Sequence, residues 1–245
     1  MLREIFHHCL PDDRNPILSA NEAPILLTRI CSIWRAIALT SPLIWARIHI
    51  ALPGNPSLSF GVLSSASITK RHLDFSKVME LRCQMVKDWL TRSGTCPLSI
   101  SLSHPIGFIE TNGSVDDPQD VTEPLFQQIL SFSPRWKHVE LSMPVSVYKK
   151  LQSHISEDSL PLLNSLRSDI RWNDMFSEHP DPVPVRFLEA PTLQRLSLDS
   201  SQLSHNTMIL LPIWNRLTDL PYNGRLSPSY AMPISLGEPW PPVIY

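Results

Sequence analysis

The stretch ICSIWRAIALTSPLIW, residues 30–45, decides how the first part of this 245-residue chain is interpreted. It places two tryptophans among aliphatic residues, a composition that suits a core helix, a membrane span or a surface that receives another protein. The surrounding apolar region, residues 25–52, is interrupted by Arg29, Arg35 and Arg47. It therefore lacks the ~20 apolar residues in a row that cross a bilayer, and the first and third interpretations remain.

Apolar spacing predicts one continuous helix from Ile25 to Leu39. Its apolar positions recur at helical intervals and form one stripe, made of Leu27, Ile30, Cys31, Trp34, Ile37 and Ala38. Pro42 ends the helix, because the residue before a proline avoids helical backbone angles. Residues 43–45 then form a short turn, and the alternation in residues 46–52 predicts a strand.

The N-terminal ten residues predict another helix, because Leu2, Ile5, Phe6 and Cys9 follow helical spacing from the outset. No capping residue precedes them, so we expect a helix that lacks its beginning. Residues 11–24 hold three prolines and several turn formers, which predicts a loop between this helix and the next.

Further along, residues 53–72 read as loop and residues 74–92 as a helix. Its expected buried side chains are Phe75, Val78, Met79, Met85, Val86, Trp89 and Leu90. The alternation in residues 97–103 predicts a half-buried strand. Residues 104–121 predict a long loop, and Thr122 is the expected N-cap of a short helix that follows it.

Four segments in the second half share an apolar-x-x-apolar rhythm: WKHVEL (136–141), LNSLRSDI (163–170), LQRLSL (193–198) and NRLTDL (215–220). Their central positions are Val139, Leu166, Leu196 and Leu217, so the spacings are 27, 30 and 21 residues. A period of ~20–29 residues is typical of leucine-rich repeats, with one strand per repeat stacked into a curved sheet. Residues 221–245 hold six prolines and no periodicity, which predicts an extended or disordered tail.

Composition excludes several functional classes. The net charge is −2 and no run of Lys or Arg exceeds two residues, so we expect no nucleic-acid partner. Glycine is scarce at 7 residues, and phosphate-binding or nucleophile-elbow motifs are absent from the sequence. The four cysteines are widely spaced, which favours reduced thiols in a cytoplasmic and/or nuclear protein.

The segments MLREIFHHCL (1–10) and APILLTRICSIWRAIALTSPLIWARI (23–48) resemble an F-box motif. Together with WLTRSGTCPLSISL (89–102), SPRWKHVELS (133–142) and APTLQRLSLD (190–199) they resemble the large family of F-box-like proteins of mushroom-forming fungi. In that family the first helix normally opens with a Leu-Pro-x-Glu element that touches the adaptor. This sequence starts at Met1-Leu2, so we expect a truncated F-box.

The resemblance implies a fold class between α+β and α/β. It implies an F-box-like helical domain at residues 1–50, an irregular leucine-rich-repeat-like solenoid at 51–220, and the proline-rich tail at 221–245. It also implies a substrate-recognition subunit of an SCF-type cullin–RING ubiquitin ligase, with a Skp-type adaptor at the F-box and a target protein at the repeats. The expected adaptor-binding residues are Leu2, Ile5, Phe6, Ile30, Cys31, Trp34, Leu43 and Trp45. Replacing Trp45 or Ile30 by alanine is expected to weaken adaptor binding.

Alternative interpretations stay open at this point. The first is a repeat scaffold that binds proteins without association with the ligase. The second is a hydrolase-type enzyme built from a serine or cysteine and one of the nine histidines; we expect no enzyme, because the sequence has no elbow or oxyanion motif. His7, His8 and Cys9 suggest a metal site, but adjacent helical residues point in different directions, so we expect neither a metal nor a cofactor.

Overall fold

The computed structural model describes residues 2–52, 65–104, 123–156, 159–171, 186–198 and 215–219. Its helices are α1 (Leu2–His8), α2 (Leu27–Ile30), α3 (Ser32–Leu39), α4 (Ser65–Arg92), α5 (Glu123–Leu130), α6 (Val145–Ser153) and α7 (Arg186–Glu189). A 3₁₀ turn spans Pro42–Trp45. The predicted loops at 53–64 and 105–121, the Thr122 cap and the tail lie outside the described residues.

Five strands form one parallel sheet: β1 (Arg47–Ala51), β2 (Leu98–Ser103), β3 (Trp136–Pro144), β4 (Ser165–Arg171) and β5 (Arg195–Leu198). Each strand lies beside the one that precedes it in the sequence. Parallel neighbours need a crossover connection, and α4, α5, α6 and α7 lie in those connections. The fold is therefore a mixture of helix and parallel strand, as the expected class requires.

One face of the sheet is apolar. Its register aligns two buried rows: Ile48, Ile100, Val139, Leu166 and Leu196, and then Ile50, Leu102, Leu141, Ser168 and Leu198, in which Ser168 is the one polar member. Buried side chains of the N-terminal helices and of α4 to α7 join these rows in one hydrophobic cluster. Strand β1 crosses residue 50, the expected domain boundary, and pairs with β2 along its whole length.

A ladder of main-chain hydrogen bonds connects the last strands at equivalent positions. The N–H of Asn164 donates to Lys137 O at 2.9 Å, that of Gln194 to Asn164 O at 3.0 Å, and that of Thr218 to Gln194 O at 2.8 Å. Arg195 also bridges Asp219 in parallel. The third spacing is therefore 24 residues instead of 21, and Leu217 is equivalent to Leu193, not to Leu196 as the sequence predicted.

The predicted continuous helix 25–39 is wrong, because it is broken at Cys31. That residue is extended, with φ −155° and ψ 170°, and separates α2 from α3. Its sulfur accepts a hydrogen bond from Trp34 N at 3.5 Å and so caps the new helix. Leu27 and Ala38 of the predicted stripe are buried, whereas Ile30 and Cys31 are exposed.

Helix α4 begins before the predicted start. Residues 65–72, predicted as loop, belong to its first turns. Of the expected buried set, Val78 and Met85 are exposed, and the other five side chains are buried. The predicted break after the helix is confirmed: Gly94 follows the last turn with φ +56°, a backbone conformation that favours glycine.

Arg135, which directly precedes β3, forms hydrogen bonds with the segment that follows α4. Its Nε and Nη2 donate to Cys96 O at 3.1 and 2.8 Å, and Nη2 donates to Ser93 Oγ at 2.6 Å. Because Ser93 is buried, loss of the guanidinium leaves polar groups in the interior without their donor.

Arg135→Gln is therefore expected to lower the free energy of unfolding by about 1–3 kcal/mol, measured by urea denaturation. Arg167→Gln is the matched control, since Arg167 pairs with Glu140 at 3.5 Å on the exposed surface. Such a pair contributes ~0–1 kcal/mol. Equal losses in the two variants would contradict the role of Arg135.

Candidate protein-binding surface

The N-terminal part of the protein carries most of the exposed large apolar side chains in the described residues. Of twelve in the described residues, eight lie between residues 2 and 43. We call five of them the apolar surface: Leu2, Ile5, Ile30, Ile33 and Leu43. They lie on α1, α2, α3 and the 3₁₀ turn, which contact one another. Clustered exposed apolar residues are typical of protein-binding sites.

The apolar surface is supported by a buried aromatic core. The ring of Phe6 in α1 packs on Trp34 in α3 at 5.0 Å between centroids. Trp45 donates from Nε1 to Ala38 O at 2.8 Å and meets Trp89 of α4 edge to face at 5.1 Å. These contacts fix α1, α3, the 3₁₀ turn and α4 together, so the exposed side chains are held on a rigid support.

The eight residues expected from the sequence divide into two groups. Leu2, Ile5, Ile30, Cys31 and Leu43 are exposed, with Leu43 65 % and Ile30 53 % accessible. Trp34 is half-buried, and Phe6 and Trp45 are completely buried. These two cannot touch a partner in this conformation, and their part is to hold the helices that carry the others.

The sequence reasoning missed Ile33, which is 65 % exposed on α3. It lies off the predicted stripe of residues 27–38, so periodicity assigned it no role. An apolar residue on the polar side of an amphipathic helix was the available signal, because such a residue is exposed without a core contact to explain it.

A groove of about 340 Å³ separates the N-terminal helices from α4. Its apolar walls include Leu18, Ile25, Leu39 and Met85. The guanidinium of Arg92 lies 5.0 Å from the Trp45 ring centroid and covers that side of the core. This contact is a cation–π interaction, and it explains why an indole beside the groove is shielded from water.

The face of the sheet opposite the apolar rows is polar. Its first row holds Arg47, Ser99, His138, Ser165 and Arg195, and its second row holds His49, Ser101, Glu140, Arg167 and Ser197. Residues 12–15 of the loop after α1 lie against one end of this face and complete a pocket over the first row.

His49 and two serines form a cross-strand cluster on this face. His49 Nδ1 lies 2.8 Å from Ser101 Oγ, and Nε2 lies 3.1 Å from Ser103 Oγ. Ser101 is buried and also accepts a hydrogen bond from Asn15 Nδ2 at 3.3 Å. A nucleophile needs access to substrate and a base oriented by a third group. Here both ring nitrogens form hydrogen bonds with serines of β2, so these contacts are typical of side chains that hold β1 and β2 together.

Metal-ligating side chains are dispersed over the described ranges. Among these residues, no group of three or more His, Cys, Asp or Glu side chains is placed to hold a metal ion. His7 and His8 lie edge to face with ring centroids 6.1 Å apart. Within the same ranges, no helix combines the length and apolar character that crossing a bilayer requires.

Comparison with protein-family models, with curated proteins and with solved structures finds no match to this protein.

The polar face gives one pH prediction. Burial lowers the pKa of both His49 and His138 below the ordinary histidine value of 6.5. A lowered folded-state pKa means that the unfolded chain binds more protons, so the fold loses stability as pH falls below 6.5 toward the folded-state values. Urea denaturation between pH 7 and pH 5 should show this loss, and His49→Gln/His138→Gln should reduce it. If the free energy of unfolding of the double variant falls with pH as steeply as that of the parent, the two histidines are not its cause.

Proposed function

We propose that this protein is a non-catalytic protein-interaction adaptor. In this proposal it is a substrate-recognition subunit of an SCF-type cullin–RING ubiquitin ligase, located in the cytoplasm or nucleus. The N-terminal F-box-like unit binds a Skp-type adaptor, and the strands that follow form an irregular leucine-rich-repeat-like solenoid that binds a target protein. The observation that carries the proposal is that eight of the twelve exposed large apolar side chains in the described residues lie between residues 2 and 43.

Energetics favour a partner at the apolar surface. Phe6 and Trp45 are completely buried, and Phe6 packs on the half-buried Trp34, so these aromatic contacts form without the exposed residues. Ile30, Ile33 and Leu43 are each more than half exposed, and full burial of one such residue stabilises a complex by about 1.5–3 kcal/mol. A partner that covers all five members of the surface gains enough apolar burial to form a stable complex.

The sheet supports the second half of the proposal. Strands added in sequence order, joined by a repeated main-chain ladder, agree with the stacking of repeats. The polar face offers arginine, histidine, glutamate and serine side chains in rows, which is suitable for recognising a protein by charge and hydrogen bonding.

The experiment is binding of the purified protein to a purified Skp-type adaptor, followed by calorimetry and size-exclusion chromatography. A one-to-one complex is expected. A protein that is folded by circular dichroism and shows no heat of binding would contradict the ligase assignment, and would leave a repeat scaffold without ligase association as the remaining interpretation.

A further inference from the structure

The pocket over the first row of the polar face has a volume of about 250 Å³. Its floor is made by one residue from each of four neighbouring strands: Arg47, Ser99, His138 and Ser165. Adjacent strands lie ~4.8 Å apart, so Arg47 and His138 are separated by about two strand spacings. We call this the arginine–histidine pocket.

Arg47 is fixed in place before any ligand arrives. Its Nε donates to Asn15 Oδ1 at 3.3 Å, and Nη2 donates to the main-chain oxygen of Arg14. Asn15 is itself buried and accepts a hydrogen bond from Ser99 Oγ at 3.0 Å. The guanidinium is therefore held in one orientation, so the Arg47 side chain loses little conformational entropy when a ligand binds.

The floor lacks an anionic partner. Within the described part of the protein, both acceptors of Arg47 are uncharged and the half-buried guanidinium pairs with no carboxylate. The side chains of His138 and Ser165 likewise find no hydrogen-bond partner among the described residues, although both are half-buried. Two side chains of the floor thus have no acceptor among the described residues, and Arg47 has only uncharged acceptors, so an incoming carboxylate would supply the first anionic partner of this row.

The charges around the floor define the kind of acceptor. The other two arginines that line the pocket are already paired, Arg14 with Glu22 and Arg167 with Glu140. Burial first, and then the charges of Arg195 and Lys137, lower the pKa of His138. The floor row itself carries Arg47 and ends at Arg195, whereas the carboxylates Asp12, Asp13 and Glu140 lie among the other residues that line the pocket. Those carboxylates repel a doubly charged phosphate more strongly than a singly charged carboxylate.

We infer that the arginine–histidine pocket binds a carboxylate carried by a target protein, with Arg47 as the charged donor and His138 and Ser165 as hydrogen-bonding neighbours. This inference deepens the proposed function, because it rests on the polar face being the side that meets the target. It assigns one position of the target to an aspartate, a glutamate or the terminal carboxylate of a polypeptide.

The test uses the full-length protein with labelled histidines, followed by NMR. The probes are four: the blocked peptide acetyl-Gly-Asp-Gly-amide, its Asn counterpart, inorganic phosphate, and acetyl-Gly-Gly with a free terminal carboxylate. The Asp peptide should shift the His138 ring signals saturably, with Kd on the order of 1–10 mM for one charged contact. It should also raise the pKa of His138, because a bound carboxylate favours the imidazolium. Acetyl-Gly-Gly with a free carboxylate distinguishes a terminal carboxylate from that of a side chain.

Arg47→Gln should weaken binding of the Asp peptide about tenfold, and Arg29→Gln, which changes an exposed arginine of α2, should leave it unchanged. If Arg47→Gln fails to fold, Ser165→Ala is the second variant, and it is expected to weaken binding of the Asp peptide about threefold. Equal binding of the Asn peptide, tighter binding of phosphate, or no effect of either pocket variant would overturn the inference. Adaptor binding is measured separately, so failure of the pocket and failure of the ligase assignment give different results.

Discussion

Trp45→Ala is expected to lower the free energy of unfolding by about 3–5 kcal/mol, the usual cost of deleting a buried aromatic side chain. The indole is completely buried, donates a hydrogen bond to Ala38 O at 2.8 Å, and packs edge to face on Trp89. Arg92 also loses the ring over which it lies. One substitution therefore opens a cavity, removes one of the two hydrogen bonds that Ala38 O accepts, and removes the aromatic contact between the 3₁₀ turn and α4.

Urea denaturation at constant pH measures this effect, and Trp34→Ala is the matched control. Trp34 is half-buried and packs mainly on Phe6, so its loss should cost less than that of Trp45. The sequence predicted that Trp45→Ala weakens adaptor binding through a lost contact. We now expect any such weakening to accompany unfolding, and to disappear at temperatures where the variant stays folded. Equal stability of Trp45→Ala and the parent would contradict the central place of Trp45 in the core.

Ile30→Glu/Leu43→Glu is expected to weaken binding to a Skp-type adaptor by at least about 100-fold, while the free energy of unfolding changes by less than ~1 kcal/mol. Both side chains are more than half exposed, so the isolated protein tolerates a carboxylate at each position. In a complex the same carboxylates would be buried against apolar side chains without a partner, and that desolvation is costly.

Calorimetry with the purified adaptor measures this second effect. Leu162→Glu is the control, because Leu162 is an exposed leucine that lies between α6 and β4, outside the apolar surface. It should bind like the parent. If Leu162→Glu weakens adaptor binding equally, the effect of the added charge is nonspecific. If Ile30→Glu/Leu43→Glu binds the adaptor like the parent, the adaptor contacts a different surface of the protein.

Local patterns in the sequence predicted many of the individual elements. The helix at Leu2–His8, the turn at Pro42–Trp45 and the strands beginning at Arg47 and Leu98 agree with the expected positions. Each depends on short-range causes, such as helical spacing, a proline that ends a helix, or strict alternation. The central positions Val139, Leu166 and Leu196 were aligned correctly, because consecutive parallel strands place their apolar residues in register.

The features that were missed leave no mark on the local apolar spacing. The break at Cys31 leaves the local apolar spacing intact, so periodicity does not reveal it; its sulfur cap forms only when the backbone turns. The pocket on the polar face joins residues from four strands and from the loop after α1. Their sequence positions differ by up to about 150 residues, so register has to be known before they can be recognised as neighbours.

The main-chain ladder at Lys137, Asn164, Gln194 and Thr218 has a consequence for how such a protein diverges over evolutionary time. Each connection uses a peptide N–H and a peptide oxygen, which nearly every amino acid supplies. Substitutions other than proline at these four positions therefore leave the connections intact, whereas the buried neighbours Leu166 and Leu196 have to stay apolar to fill the core. Related proteins would keep the spacing of about 24–30 residues between these connections while their sequence identity falls. The interval between repeated leucines is therefore a better guide to relatives of this protein than residue identity is.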